Sequence, residues 1–345
     1  MVEGAGDGND GKNRKHGRDV SHSSPISHSS HKPRRQPRLP SLTLDPRGLA
    51  PPGAPALIGV SGGRDSAALL HALVERGESA LVVCHFDHGL RPESADEAEF
   101  VAKLARGYGL PCEIERRVAP LRKKQSVETA AREARYAFFS AVATRRDCAH
   151  LYLAHHADDQ AETLLFNLLR GSGTAGLCGM RPTSRRGALT LHRPLLGTWR
   201  EEIDRYVDAH ALRHCEDPTN LDLRHTRNRM RHEIIPFLEK ALERNVRSAL
   251  WRSAEILGAE DELLNSLAPP VALAAELEVA VLRALPTALQ RRAVEAWLGG
   301  NGVPNVSFDD VENVLRLVHQ RTPAKVNLSS DRHARRRAGR IFLEP

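Results

Sequence analysis

The stretch that most constrains this chain is a short apolar run, ALIGV (56–60), followed at once by SGGRDS (61–66) and then by AALLHALVER (67–76). The apolar run has the composition of a strand buried on both faces, and the last segment repeats its apolar residues at helical spacing. Strand, glycine turn and helix N-terminus in that order make an anion site. Gly62 and Gly63 let backbone N–H groups close on phosphate oxygens, and the helix end adds about half a positive charge. The turn differs from the G-x-x-x-x-G-K-[ST] phosphate loop, because Asp65 and Ser66 stand where that motif carries Lys and Ser or Thr. A carboxylate in a phosphate cradle makes chemical sense with Mg²⁺ between the two, so Asp65 is a candidate magnesium ligand.

Three more strands follow, ALVVCH (80–85), CEIERRV (112–118) and AHLYLA (149–154), alternating with helical segments. The first of those helices opens with a capping box, Ser94 and Glu97; the second covers 126–144, and the third runs from about Asp158 to Arg170. Repeated strand–helix units predict an α/β fold, a doubly wound parallel sheet, whose ligands sit beyond the carboxyl ends of the strands. The polar residues at those ends are SGGRDS; then His85, Asp87, His88 and Arg91 of HFDHGLR; then His155, His156, Asp158, Asp159 and Glu162 of HHADDQAET. A helix starting near Asp158 places Asp158 and Glu162 on one face and sends Asp159 toward the strand ends. Helix capping accounts for one of the two aspartates. Arg135 flanks the apolar stripe of its helix, and spacing alone makes it a solvent-exposed arginine paired with Glu128 or Glu133.

Composition divides the chain further. Residues 1–54 are rich in Gly, Ser, His, Pro and Arg and read as a disordered basic tail. Eight bases and four acids in residues 1–40 place four of the seven net positive charges there, so the body is only mildly basic. An α/β domain is expected over 55–215 and a mainly helical region over 216–345. Helices already dominate from TWREEIDRYVDAH (198–210), read with a capping box of Thr198 and Glu201, and continue past 215 with a long helical segment around 241–267. Residues 271–345 read as two short helices with the strand-like pieces KVNL and RIFL, a small module packed on the helices. Arg224, Arg227, Arg229 and Arg231 form the densest basic run of the body, a solvated face by itself and an RNA surface if a nucleotide site lies beside it. No apolar run approaches the roughly 18 residues of a membrane span, and no signal peptide precedes the body. Five scattered cysteines without a C-x-x-C pair exclude a disulfide framework and a zinc knuckle, so the chain reads as cytoplasmic, with reduced thiols.

The SGGRDS loop resembles the pyrophosphate loop of the N-type ATP pyrophosphatases, which cleave ATP between its α and β phosphates. Taken in order, SGGRDS, HFDHGLR, ETAAREARY, AHHADDQAETLLFNLLRGSGTAGLCGM, RPLL and CEDPTNLDLRHTRNRMRHEIIP resemble the tRNA(Ile)-lysidine synthetases over residues 56–240. The resemblance implies transfer of an adenylyl group to C2 of the wobble cytidine of a CAU-anticodon isoleucine tRNA, displacement of AMP by the ε-amine of free L-lysine, and a change of decoding from AUG to AUA. It places Ser61, Gly62, Gly63, Arg64, Asp65 and Ser66 on ATP, with Mg²⁺ at Asp65. It makes Asp65, Arg135 and Asp159 catalytic, and sets His155, Glu162, Arg227 and Arg231 around lysine or tRNA. Asp159 either orients lysine or binds metal. Many members of the family continue into a further C-terminal RNA-binding domain, so the likeness is to a short form; a homodimer is compatible with the sequence.

Three other readings share parts of this pattern. A tRNA 2-thiolation enzyme of the same superfamily typically uses cysteine pairs, which are missing here. A synthetase acting on a small molecule needs an ammonia source, and no glutaminase half is recognisable. A nucleotide-sensing module would bind ATP without releasing pyrophosphate, and would leave the polar residues after the second and fourth strands without a role.

Overall fold

The computed structural model describes residues 39–345 except 88, 90–93, 117–126, 216–221, 225, 321, 323, 330 and 345. The basic tail through Arg38, His88, Arg91, the end of CEIERRV, all but the first residue of CEDPTN and the Ser94 side chain of the capping box lie outside the described residues.

Continuous apolar runs become the expected strands: β1 (Ala56–Gly59), β2 (Leu81–Asp87), β3 (Cys112–Arg116) and β4 (His150–Tyr152). Between and after them lie α1 (Arg64–Glu75), α2 (Ser94–Gly107), α3 (Val127–Arg146) and α4 (Ala157–Leu169). A short α5 (Thr174–Leu177) and a hairpin, β5 (Thr183–Arg186) with β6 (Leu189–His192), complete a six-stranded sheet in the order β3-β2-β1-β4-β6-β5. All neighbours are parallel except the β5 edge, which pairs antiparallel to β6. Because side chains alternate across a strand, β1 feeds two cores. Ala56 and Ile58 pack with α1, α2 and α6 (Arg200–Ala209), while Leu57 packs with Phe138, Phe139 and Val142 of α3. Helices on both faces make the sheet doubly wound, as the pattern predicts.

The second half starts with α7 (Thr226–Arg229), a π-helical turn (Met230–Ile234), α8 (Ile235–Leu242) and the long α9 (Val246–Leu267). The C-terminal module is richer in sheet than expected. To α10 (Val279–Ala284), α11 (Thr287–Gly300) and α12 (Phe308–His319) it adds β7 (Glu276–Glu278), β8 (Lys325–Asn327), β9 (His333–Arg337) and β10 (Arg340–Glu344), in the order β7-β10-β9-β8. It has its own core around the fully buried Trp297, whose indole N–H donates to the Ala274 carbonyl at 2.9 Å. Among the described residues, no helix is long and apolar enough to cross a membrane.

Two expectations are corrected. Residues 39–54, assigned to the tail, are built into the body: Leu42, Leu44 and Leu49 pack on the first core, and the Ala50 N–H donates to the Tyr152 hydroxyl at 2.9 Å. Polar composition hid them because three leucines and one buried alanine suffice once a groove in the body is there to receive them. The α6 cap is shifted by one residue. Glu202 accepts from the Trp199 N–H at 2.9 Å, and Thr198 instead donates its hydroxyl to the Thr43 carbonyl at 3.0 Å, helping to hold that N-terminal segment.

Candidate active site

The loop after β1 is shaped by its own small side chains. Gly62 takes φ +93°, a left-handed conformation that side-chain-bearing residues adopt only with strain. Ser66 donates to the Gly63 carbonyl at 2.9 Å and accepts from the Ser61 N–H at 3.2 Å, while Ser61 Oγ accepts from the Gly63 N–H at 3.2 Å. The turn is therefore closed before anything binds, at the carboxyl end of the central strand and at the N-terminus of α1. Arg64 leaves it to pair with Asp204 of α6 at 2.8 Å.

Asp65 points from the first turn of α1 into a cluster that the sheet assembles from distant segments. One of its oxygens meets Arg200 Nη1 at 2.9 Å and lies 3.9 Å from His156 Nε2; the other, Oδ1, is buried without a partner. His156, buried at the head of α4, also lies 3.5 Å from Asp159 and 3.4 Å from Asp158. Burial works against its charge, but Asp159, the contact with Asp158, and Asp65 outweigh it and push its pKa up to about 9. Asp158 turns toward the second half, accepting from the Arg200 backbone N–H at 3.0 Å and from Arg247 Nη1 at 2.9 Å. Asp159 and Glu162 share one partner, since Arg231 donates to Asp159 Oδ1 at 2.9 Å and to Glu162 Oε1 at 2.6 Å.

The acids fall into two kinds. Burial opposes the charge of Asp158 and Asp159, yet in both the neighbouring cations win: His156, Arg200 and Arg247 at Asp158; His156, His155 and Arg231 at Asp159. Both carboxyls are held below their usual range. Burial prevails at Asp65 and at Glu162 and raises both, and each keeps one buried oxygen without a partner, Asp65 Oδ1 and Glu162 Oε2. Acids whose environments drive their proton affinities apart are a common mark of proton-transfer chemistry. Beside them opens a cavity of about 490 Å³ between α4, α6, the π turn, α8 and α9, lined by His156, Asp158, Glu162, Arg200, Arg231 and Arg247 among others. A π-helical turn at its wall, carrying Arg231, is a distortion often found at functional sites.

Of the residues singled out in the sequence, the loop, Asp65, Asp159, Glu162 and Arg231 come together. Arg135 and half-buried His155 lie on another flank, where Arg135 Nε and His155 Nδ1 are buried without partners. Burial lowers the Arg135 pKa and pushes that of His155 down to about 3, so His155 is neutral at physiological pH. Arg135 is thus not the exposed, paired arginine that spacing suggests. Arg227 is exposed and only grazes Thr163 Oγ1, at 3.5 Å. Arg231 does not share that exposed face; its guanidinium turns inward to two carboxylates whose field outweighs the burial of its charge. The expected pairing of acids on α4 is also revised: Asp159 and Glu162, three residues apart, meet on one arginine, and Asp158 faces elsewhere. Two members escaped sequence reasoning, and a third was named without a role. His156 was visible in HHADDQAET but indistinguishable from its neighbour, whereas Arg200 and Arg247 carry no local signal at all.

Among the described residues no group of three or more His, Cys, Asp or Glu side chains is disposed to hold a metal. The free oxygen of Asp65 beside a phosphate-shaped turn nevertheless suits Mg²⁺, which usually takes one or two carboxylates and completes its shell with phosphate and water.

The chain is similar to known proteins over most of its described length. A model of the PP-loop domain matches residues 48–238, and a model of the TilS substrate binding domain matches residues 277–342. The tRNA(Ile)-lysidine synthase of Gloeobacter violaceus is 41% identical over 279 residues, covering 78% of this chain and 84% of the relative. That of Thermosynechococcus vestitus is 37% identical over 285 residues, covering 80% and 82%. The tRNA(Ile)-lysidine synthase of Geobacter sulfurreducens is 39% identical over 295 residues, and the match spans only 62% of its length. Among solved structures, the U34-tRNA thiolase NcsA of Methanococcus maripaludis, with its [4Fe-4S] cluster, shares the fold with a TM-score of 0.52 at 19% identity, over 62% of this chain and 74% of that one.

Proposed function

The chain belongs to the tRNA(Ile)-lysidine synthase family, and from that membership we propose that it activates the wobble cytidine of a CAU-anticodon isoleucine tRNA with ATP and joins free lysine to it. In the first step the C2 oxygen of the base attacks the α-phosphorus and pyrophosphate leaves. In the second the lysine ε-nitrogen attacks C2, AMP departs with that oxygen, and the nitrogen loses a proton. The product is lysidine, which redirects decoding from AUG to AUA.

The observation that carries this reading is the meeting of the phosphate loop and the HHADDQAET acids at one point, His156, which lies 3.9 Å from Asp65 and 3.5 Å from Asp159. A nucleotide held by residues 61–66 would present its α-phosphate to a wall of acids, as ligation to an amine requires. Magnesium, when bound, would neutralise phosphate charge, and Asp65 is the residue to hold it. The loop N–H groups and the α1 N-terminus hold pyrophosphate oxygens, and Arg135 stabilises charge on the α-phosphate. Free lysine carries two ammonium groups and a carboxylate, and the adjoining cavity offers both signs: Asp158 and Glu162 for the cations, with Asp159 just behind them on Arg231, and Arg231 and Arg247 for the anion. Glu162, with raised proton affinity and one free oxygen, is suited to take the proton that the attacking amine must lose.

Incubation with labelled lysine, ATP and bulk tRNA tests the proposal. Label should enter RNA only with ATP, with release of AMP and pyrophosphate. ATP binding without pyrophosphate release would favour the sensing module instead. Asp65→Ala should abolish pyrophosphate release while the circular dichroism spectrum stays unchanged; full activity in that variant removes Asp65 from the mechanism.

A further inference from the structure

Away from the acids lies a dense group of cations that no carboxylate neutralises among the described residues. Three guanidiniums surround the ring of Tyr136: that of Arg186, from the β5 edge, at 4.2 Å from the centroid; Arg132 at 5.4 Å; and Arg135 at 5.9 Å. Beneath them Arg193 is 6% exposed, with Nη1 bonded to the Arg181 carbonyl and Ser184 Oγ at 2.8 and 3.0 Å. Its Nε is buried without a partner, as are Arg135 Nε, His155 Nδ1 and the hydroxyl of Tyr136, which is only 3% exposed. Among the described residues no carboxylate pairs with Arg132, Arg135, Arg186 or Arg193. Arg132 and Arg227 repel Arg135, and Arg132 also repels Arg193. Stacking on one tyrosine lessens the cost of gathering like charges but does not cancel it. Buried donors left open beside such charges call for an anion.

We propose that the outer cations of this Tyr136-centred cluster, Arg132 and Arg186, are the seat of the RNA strand that carries the target base, taking successive phosphodiesters from the β5 edge toward the acids and leaving Arg135 to the α-phosphate. The inference rests on the tRNA reading given above and deepens it. The arrangement fits a strand better than a single triphosphate, for two reasons. Arg132 and Arg186 are exposed and come from different elements, so these cations stand at the surface, where a strand can pass, and not inside a closed nucleotide pocket. It also continues inward, through Arg227 with its contact to Thr163 and through His155 next to Asp159, to the acids where chemistry is proposed. Phosphates would be drawn along the cations, and free guanidinium faces could stack on an unpaired base. The acids inside would repel the backbone and admit only a neutral base and a cationic amine.

The double variant Arg132→Gln/Arg186→Gln tests this on the full chain. Its affinity for the tRNA should fall about tenfold at physiological salt. The slope of log affinity against log salt should flatten by roughly 1 to 1.5, since each phosphate contact on a single strand contributes roughly 0.7. The KM values for ATP and lysine should not move, and Arg132→Lys/Arg186→Lys should restore the slope. Unchanged tRNA affinity and slope in the Gln variant, with lysine still incorporated, overturns the cluster alone. A raised KM for ATP at constant tRNA affinity assigns the cluster to the nucleotide and overturns it as well. Failure of the wild-type protein to bind or modify tRNA overturns this inference together with the reading beneath it.

Discussion

His156 is the cation that lets Asp65, Asp158 and Asp159 crowd one end of the sheet, and its own titration follows from that duty. Its folded pKa of about 9 exceeds the ordinary 6.5, so its contribution to stability is complete below 6.5 and is lost as pH rises through about 9. His156→Gln should lower the free energy of unfolding at neutral pH by roughly 3 kcal/mol and erase that alkaline slope. Urea denaturation of both proteins between about pH 6 and 10 measures this; parallel curves would show that His156 is uncharged in the fold. Arg231 decides between two roles. The basic run in the sequence suggests an RNA contact, but its guanidinium is spent on Asp159 and Glu162. Arg231→Ala should therefore raise the KM for lysine roughly tenfold or more while tRNA affinity at physiological salt stays within about twofold; the opposite split would return it to the RNA surface.

Elements repeat the lesson at the next scale. The apolar runs of β1 and β2 and the periodicity of α1 and α3 were legible, because burial on a sheet or along a helix stripe leaves its mark within ten residues or so. The β5–β6 hairpin was not. TSRR and LTLH are four residues each, the first polar throughout, and only their pairing beside β4 makes them strands. The same holds for β7 and β9, whose charged sequences ELE and HARRR become an edge strand and an inner strand of the sheet in the module built around Trp297. The phosphate turn behaves oppositely, being dictated residue by residue. Gly62→Ala would force a β-carbon onto φ +93°, a cost of about 1 to 3 kcal/mol, and should depress the melting temperature and raise the KM for ATP together. A variant with unaltered melting and ATP dependence would show that the turn adopts another conformation.

Across the whole molecule, the α/β body is tied to the following helices by buried charge. Asp261 of α9, 5% exposed, accepts from Arg181 Nη2 at 2.8 Å and from Arg292 Nη1 of α11 at 2.6 Å. Arg292 reaches on to Thr174 of α5 at 2.8 Å. Asp261→Ala would leave the largely buried Arg292 without its counter-charge and Arg181 with only the exposed Glu262, 3.1 Å away, and should cost about 3 kcal/mol. Hydrogen exchange should quicken in α9 and α11 while the β1–β2–β4 amides stay protected; uniform loss of protection would mean that the chain unfolds as one unit.

The sequence by itself determined the phosphate turn, the alternation of strands and helices and the family, because these depend on neighbours along the chain: a glycine's freedom, a capping residue, a period of two or of 3.6. Which cation answers which acid was decided only by the tertiary structure. Arg200 reaches Asp65 across 135 positions, Arg247 reaches Asp158 across 89 and Arg231 reaches Asp159 across 72. Ion pairs are set within a few tenths of an ångström by how α4, α6, α9 and the π turn pack, and no spacing along the chain encodes that distance.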